Sequence, residues 1–470
     1  MSAYYVETRI KLAQDQLATA AALADSGLHD DYVVYEGPQG WSYAGGTLAQ
    51  LTLDRSGARL SHEGETFLPW DGKPLQQVQS LLATLPVDGW RAYGWAAFEL
   101  SYAKDGAVDH VGDERLLHLV VPRTEVRLGE GTALVRSADP AGLVAALDVL
   151  RSPTRPAGGK VAQIDVRGFD KTDYRSSVES AVAEINEDKL QKVILSRVVE
   201  VENDIDLVET YVQGRRGNTP ARSFLLHLGG VEAAGFSPET VVEVEAGGRV
   251  YSQPLAGTRA LTKDPQRNRE LRENLLSDPK EIYEHAISVK VGTDELTDVS
   301  EEGSVEVPEF MAVKERGSVQ HLASRVTGQL ADGFGTWDAF GAVFPAVTAS
   351  GVPKAAAYDV IRQYEPERRG LYSGAVLTTD QNGEMDAALV LRSVYRQGGR
   401  TWLRAGAGIV GQSTAAREFE ETSEKLESVS RFLVATTQDQ DQGRGQVQVQ
   451  ELGQGPQREQ GRDRGGRRAA

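Results

Sequence analysis

At 470 residues the chain is long enough for one large domain or for two to three average ones, and it can bury a core without covalent staples. It has no cysteine, which excludes a disulfide framework, a thiolate metal site and a cysteine nucleophile. A net charge of −17, with 40 % hydrophobic and 25 % charged residues, is an ordinary composition for a soluble globular protein and argues against unspecific binding to nucleic acid or to an anionic membrane. No run of about 18 apolar residues and no charged start followed by an apolar core is found, so a cytoplasmic location is expected.

In chain order, residues 5–24 read as a helix, with Ile10, Leu17 and Ala21 in rough helical register. Tyr32–Tyr35, Arg59–Leu60 and the aromatic run Trp90–Tyr102 read as short strands, closing a mixed region that ends near Leu150. SPTRPAGG, residues 152–159, is a connector. A helix around Asp170–Leu190 and a strand over Lys192–Val201 follow. Lys192 opens that strand, where a lysine is ordinarily solvated. Turned into a closed pocket it would lose its charge more readily and serve as a base. Glu239, in GFSPE (235–239), is expected just after a strand at Ser223–Leu228. Exposed, it is a plain turn carboxylate; shielded, it becomes an acid with a raised pKa. PLAGTR (254–259) follows a strand. Its glycine lets backbone approach a ligand and its N–H groups can hold an oxyanion, although a simple strand-end turn has the same look. It matches neither the dinucleotide fingerprint nor the Walker loop.

Ser277–Glu281 reads as a helix start, with Asp278 as N-cap, Pro279 at the first helical position and Glu281 completing a capping box. Capping accounts for Glu281 but not for Glu284, one turn deeper. His285 and His321 have no partner histidine at ligand spacing, so a structural or substrate-contacting role is favoured over metal binding. Asn382-Gly383 joins strands around Tyr372–Thr378 and Ala387–Tyr395, and Gly398-Gly399 joins the latter to Thr401–Val410. These tight turns make an antiparallel meander, not a doubly wound parallel sheet. The last helix, Ala415–Val434, has an apolar stripe of Phe419, Leu426, Val429 and Leu433 beside a stripe of Glu418, Glu421 and Lys425. Glu281/Glu284 and Glu418/Glu421 thus share one spacing, which puts each pair on a single helical face where like charges repel. Such oxygen-only clusters suit a hard cation, Mg2+ before Ca2+ or Zn2+; solvated faces in a Glu-rich chain produce the same pattern. Residues 437–470 carry almost no apolar side chains and are expected to be disordered. Neither a Ser-His-Asp arrangement nor a Gly-x-Ser-x-Gly elbow is present.

In order, KVILSR (192–197), GFSPE (235–239), PLAGTRA (254–260), SDPKEIYEH (277–285), FPAVTASGVPK (344–354), GLYSGAV (370–376), LRAGAGIV (403–410) and EFEETSEKL (418–426) resemble the chorismate-utilising enzymes, the anthranilate, aminodeoxychorismate, isochorismate and salicylate synthases. RAYGWAAFE (91–99), RSFLLHLGG (222–230) and KERGSVQHL (314–322) bring the salicylate synthases of siderophore pathways nearest, over nearly the whole chain except the tail. The resemblance implies an α+β fold of the anthranilate-synthase (ADC synthase-like) type, a sandwich of antiparallel sheets with outer helices. It implies one chorismate-binding domain over 1–436, with an N-terminal part (1–150) and a catalytic core (160–436).

The resemblance also implies chorismate as substrate and Mg2+ as cofactor, held by Glu284 and Glu421 with Glu281 and Glu418 close by or reached through water. Lys192 matches the base that activates water, Glu239 the acid that protonates the departing hydroxyl, and Arg392, Tyr372 and Gly406 the groups that hold the enolpyruvyl carboxylate. Gly257, Thr258, His321, Thr348 and Lys425 match other pocket positions. Ammonia-using relatives carry glutamine where Lys192 stands, so water is the implied nucleophile and no glutaminase subunit is expected. Ala256 likewise disfavours the aminodeoxychorismate branch, where a lysine is common. The expected product is salicylate, with isochorismate as the alternative end point, and the expected state is a monomer or weak dimer. Gln253 departs from the pattern, which often has Glu there.

Overall fold

The computed structural model describes residues 5–12, 14–151, 159–168, 170, 172–317 and 319–436. Every strand pairing in them is antiparallel, as the tight Asn-Gly and Gly-Gly turns demand. One layer runs from Tyr32–Gly37 to Arg222–Leu228, Val231–Ser237, Ser393–Gln397, Arg400–Ile409 and Lys192–Glu200. The other runs from Arg91–Ala96 to Ala375–Asp380, Met385–Leu389, Thr240–Val244, Arg249–Ser252 and Val319–Gln329. Leu255–Ala260 and Glu306–Arg316 flank Val319–Gln329 on either side. Two long strands, Gly40–Asp54 and Leu117–Gly129, pass through both layers, with a register shift between Thr47 and Ala49.

Between the layers lies a core of strand residues, among them Tyr35, Trp95, Phe224, Leu226, Val376 and Tyr395. Helices cover the outer faces. Gln16–Asp25 and Leu207–Gly217 bury Leu17, Leu23 and Tyr211 on one side. Pro74–Ala83 and Thr336–Val343 bury Val78, Leu81 and Phe340 on the other. This is the expected sandwich of antiparallel sheets with outer helices. No helix among the described residues is long and apolar enough to cross a membrane.

Several local expectations are corrected. The helix expected over 5–24 is a strand, Val6–Lys11, followed by a helix that begins only at Gln16. Asp15 caps that helix by accepting from Leu17 N at 3.0 Å, and the strand finds its partner far along the chain at Thr132–Ser137. The run 90–102 splits into the strand Arg91–Ala96 and a short helix, Leu100–Lys104. A further strand, Val231–Ser237, stands between Arg222–Leu228 and Glu239, so GFS of GFSPE is strand rather than turn. PLAGTR follows a strand, Arg249–Ser252, as expected, but it is not merely that strand's end turn: Leu255–Ala260 is itself a strand, irregular between Leu255 and Thr258. The strand expected over 387–395 breaks in two, Met385–Leu389 in one layer and Ser393–Gln397 in the other. At the break Arg392 has φ of 50°, a left-handed backbone that side chains other than glycine rarely adopt. The connector over 152–158 and the tail 437–470 lie outside the described residues.

Candidate active site

Around the break at Arg392 the two layers and two helices enclose a polar cavity of about 70 Å3. Glu239, Gly257, Thr258, Glu284, His321, Thr348, Tyr372, Arg392, Gly406, Glu421 and Lys425 all line it, which gathers eleven of the fourteen candidate residues from segments spread over the chain. Lys192, Glu281 and Glu418 stand behind its wall. Tyr372 and Arg392, expected on strands of a meander, lie instead in the turn before Ala375–Asp380 and at the strand break. Only Gly406 sits within a strand, Arg400–Ile409. A larger cavity of about 510 Å3, lined by Arg9, Arg91, Arg127, Glu243 and Glu384 among others, contains none of the candidate residues.

Glu239 is buried between two donors. Thr348 Oγ1 donates to one carboxylate oxygen and Leu255 N to the other, each at 2.8 Å. Burial nevertheless outweighs these bonds and pushes its pKa up to about 7, so near neutrality the group is a proton donor. Lys192 is fully buried. Its Nζ lies 3.0 Å from Glu284 Oε1 and donates to Ser288 Oγ at 3.2 Å. It therefore meets the cavity through Glu284, which lines it, and is held from behind by Ser288, one turn further along the same helix, Pro279–Thr297.

On the opposite wall a chain of contacts orients the cations. Arg392 Nη2 donates to His321 Nε2 at 2.9 Å, and His321 Nδ1 lies 2.9 Å from Thr258 Oγ1. Burial, reinforced by Arg392, holds the imidazole pKa well below its ordinary value. The ring is neutral, with Nε2 as acceptor and the proton on Nδ1. Burial lowers Arg392 to about 10, so it is charged at neutral pH and able to bind a carboxylate. Lys425 Nζ donates to Glu421 at 2.8 Å and to Gly406 O at 2.9 Å. A Cβ on Gly406 would lie 2.7 Å from both Leu195 O and the Tyr372 hydroxyl, so only glycine fits there. Gly257 has φ of 86°, and a Cβ on it would press on Glu281 and Leu322 at 3.3 Å.

The two carboxylate pairs face each other from the helices Pro279–Thr297 and Ala415–Ser430. Asp278 caps the first by accepting from Lys280 N at 2.9 Å. Glu281 does not complete a capping box. One of its oxygens accepts from Arg259 at 2.8 Å and Arg417 at 2.7 Å, the other from Thr258 N at 3.2 Å. Lys280 Nζ sits among the carboxylates, 3.4 Å from Glu418 and 3.9 Å from both Glu281 and Glu284. Burial opposes its charge, but the surrounding glutamates raise its pKa and keep it protonated. Glu418 is raised by burial and then by Glu421. Burial also acts on Glu421, yet Lys425 and Lys280 outweigh it and hold that carboxyl down.

No three acidic or histidine side chains among the described residues converge as a ready-made metal centre. The donor set still fits a hard divalent cation: it is all oxygen, Glu284 and Glu421 open on the cavity, and Glu418 Oε2 is buried without a hydrogen-bond partner.

Ser288, Lys280, Arg259, Arg417 and Gly408 also belong to the site, and sequence reasoning passed over them. Ser288 stands one helical turn after Glu284, a spacing that puts both on one face. Gly408 lies in the quoted LRAGAGIV run, and a Cβ there would come within 2.3 Å of Glu284 Oε1.

The model of the chorismate binding enzyme family matches residues 30–431. A salicylate synthase from Mycolicibacterium paratuberculosis is 40 % identical over 430 residues, covering 90 % of this chain and 94 % of the relative. Component 1 of anthranilate synthase from Methanothermobacter thermautotrophicus is 38 % identical over 261 residues, 56 % of each chain. Among solved structures, MenF, the menaquinone-specific isochorismate synthase from Escherichia coli, superposes with a TM-score of 0.70 at 21 % identity, over 91 % of this chain and 94 % of that one. Identity that low shows a shared fold alone.

Proposed function

The chain belongs to the chorismate-binding enzymes, and from that premise we propose that it is a salicylate synthase, which converts chorismate through isochorismate to salicylate and pyruvate. The pairing of Glu239, raised to about 7 on the cavity wall, with the buried amine of Lys192 carries the reading. An acid on the cavity wall with a buried amine behind it supports a displacement that needs both an acid and a base. The 40 % identity to a salicylate synthase along most of the chain supports the same product.

In the first half-reaction Lys192 accepts a proton from water as its oxygen bonds to C2 of the ring. The ring double bond shifts, the C4–O bond breaks, and Glu239 gives its proton to the departing hydroxyl. Mg2+, held by Glu284 and Glu421 with Glu281 and Glu418 near or reached through water, would supply positive charge for the ring carboxylate. Arg392, Tyr372 and Gly406 bind the enolpyruvyl carboxylate and fold that side chain over the ring. His321 holds the Arg392 guanidinium in place, and Thr258 and Gly257 close the pocket beside it. The second half-reaction is a pericyclic hydrogen transfer within isochorismate that expels pyruvate. It asks for positioning rather than for another acid or base. With water as nucleophile no glutaminase partner is needed, and the enzyme works in the cytoplasm as a monomer or weak dimer.

Incubation with chorismate and Mg2+, with and without ammonium, is the test. Salicylate and pyruvate are expected in both. Isochorismate accumulating without salicylate would restrict the activity to the first step, and anthranilate or an aminodeoxy product at a comparable rate would overturn the role of Lys192.

A further inference from the structure

Behind Tyr372 and Gly406 three charged side chains are buried together. Glu365 follows the helix Lys354–Tyr364, Arg369 stands one turn further along the chain, and Arg404 comes from the strand Arg400–Ile409. Burial opposes the charge on Glu365, but Arg369 and Arg404 outweigh it and hold the carboxyl below its ordinary pKa. Arg369 Nε and Nη2 donate to the two oxygens of Glu365 at 2.8 and 2.6 Å, and Arg404 Nη2 donates at 2.6 Å. The other donors of Arg369 reach Ile194 O at 2.6 Å, Ala349 O at 2.7 Å and Ser373 Oγ at 3.4 Å. Ile194 and Ala349 both line the cavity.

We propose that this triad is a positioning device for the substrate: Arg369 and Arg404, joined by Glu365, set the Tyr372 hydroxyl against Gly406 and so fix the seat of the enolpyruvyl carboxylate. Both sides of the seat are tied to it. On one side the Arg369 carbonyl accepts from Tyr372 N at 3.1 Å. The guanidinium carbons of Arg369 and Arg404 lie 5.6 and 5.4 Å from the centre of the Tyr372 ring, within reach of a cation–π attraction. On the other side Glu365 accepts from Ser196 N at 2.7 Å and Ser196 Oγ at 2.9 Å. Ser196 is the register partner of Gly406, and Arg404 precedes Gly406 on the same strand. The turn that carries Tyr372 has something to hold in place. Ser373 has φ of 62°, a left-handed backbone that is costly for a serine. Well-packed apolar side chains often replace buried ionic groups without loss of stability, so stability alone does not account for the triad. What a planar guanidinium fork adds is fixed geometry.

This inference rests on the salicylate synthase reading, which gives the carboxylate to Tyr372 and Gly406. Arg369→Lys keeps the charge and removes the fork. It is expected to lower kcat/KM about tenfold for chorismate and for supplied isochorismate alike, because both carry the enolpyruvyl carboxylate and a small misplacement of a binding group is felt on that scale. In a Tyr372→Phe background the same substitution should cost less than about twofold, since the hydroxyl it positions is gone. If Arg369→Lys does not fold, Arg404→Lys carries the same expectations. A tenfold loss that persists without the hydroxyl would mean a general loosening of the wall and overturns the inference. An unchanged kcat/KM in the Tyr372 background, or a loss confined to one half-reaction, overturns it as well. Chorismate consumed without salicylate would overturn the salicylate synthase reading instead, and the chorismate measurements would still decide the triad.

Discussion

Glu239 shows how far environment decides chemistry at the scale of one residue. Its ordinary pKa of 4.5 is raised to about 7 by burial, against hydrogen bonds from Thr348 and Leu255. A raised carboxyl is protonated below its folded pKa and loses the proton above it. Chorismate consumption should therefore fall about tenfold per pH unit above about 7, while lysis of supplied isochorismate lacks that limb because no hydroxyl departs. Glu239→Gln should abolish the first step and spare most of the second; equal losses in a two-step assay would make the residue a positioning group. The same group leaves a mark on stability. The folded state holds a proton that the unfolded chain gives up between pH 4.5 and about 7, so this contribution is complete below 4.5 and is lost as pH rises through 7. That acid–base chemistry was foreseeable at Glu239 only as a conditional, since a turn carboxylate becomes an acid when something covers it. What covers it, Leu255 and Thr348, comes from segments far away in sequence.

At the scale of elements, two helices meet so that repelling carboxylate pairs face each other around Lys280. The i,i+3 spacing of Glu281/Glu284 and Glu418/Glu421 was readable because helical periodicity converts spacing directly into a shared face. That Glu281 is tied up by Arg259 and Arg417 was not, because those cations arrive from other elements. Glu284→Gln or Glu421→Gln should each remove most turnover and also the Mg2+-induced rise in melting temperature. A full thermal shift in either variant would place the ion elsewhere. The helix Pro279–Thr297 depends on Asp278 for its first turn, since Pro279 brings no N–H and Asp278 satisfies Lys280 N. Asp278→Ala should cost about 1 kcal/mol, read as a lower denaturation midpoint, and should weaken Mg2+ binding because Lys280 and Glu281 ride on that turn and Glu284 on the next. The hairpins at Asn382-Gly383 and Gly398-Gly399 were legible from turn chemistry. The break between Leu389 and Ser393 was not, because the apolar run Ala387–Leu391 leads through only Arg392 and Ser393 into Val394 and Tyr395, with no glycine, proline or turn pair to mark where the backbone changes layer.

For the whole molecule, antiparallel pairing followed from the tight turns and the sandwich from the family resemblance, whereas the pairing of distant strands followed from neither. Val6–Lys11 pairs with Thr132–Ser137, and Arg91–Ala96 with Ala375–Asp380; no local pattern encodes such partners. The C-terminal end of the described chain is tied down by bridges from Val434 to Val161 and from Ala435 to Ile205. A chain ending at Thr436 keeps them all and should match the full-length protein in melting temperature and in turnover. A drop of several degrees in the shortened protein would show that residues 437–470 take part in the fold.

The pairing of Tyr32–Gly37 with Arg222–Leu228 has a consequence for how the protein is made. A ribosome adding about 5–20 residues per second leaves the early strand without its neighbour for roughly 10–40 s. Arg91–Ala96 waits longer still for Ala375–Asp380. Through that interval the nascent chain carries open strand edges and apolar faces, the features that invite misassembly. Yield in a cell is thus governed by what shelters the first half during synthesis, and a chain released before the Ser393–Gln397 strand emerges leaves the Val231–Ser237 edge unpaired.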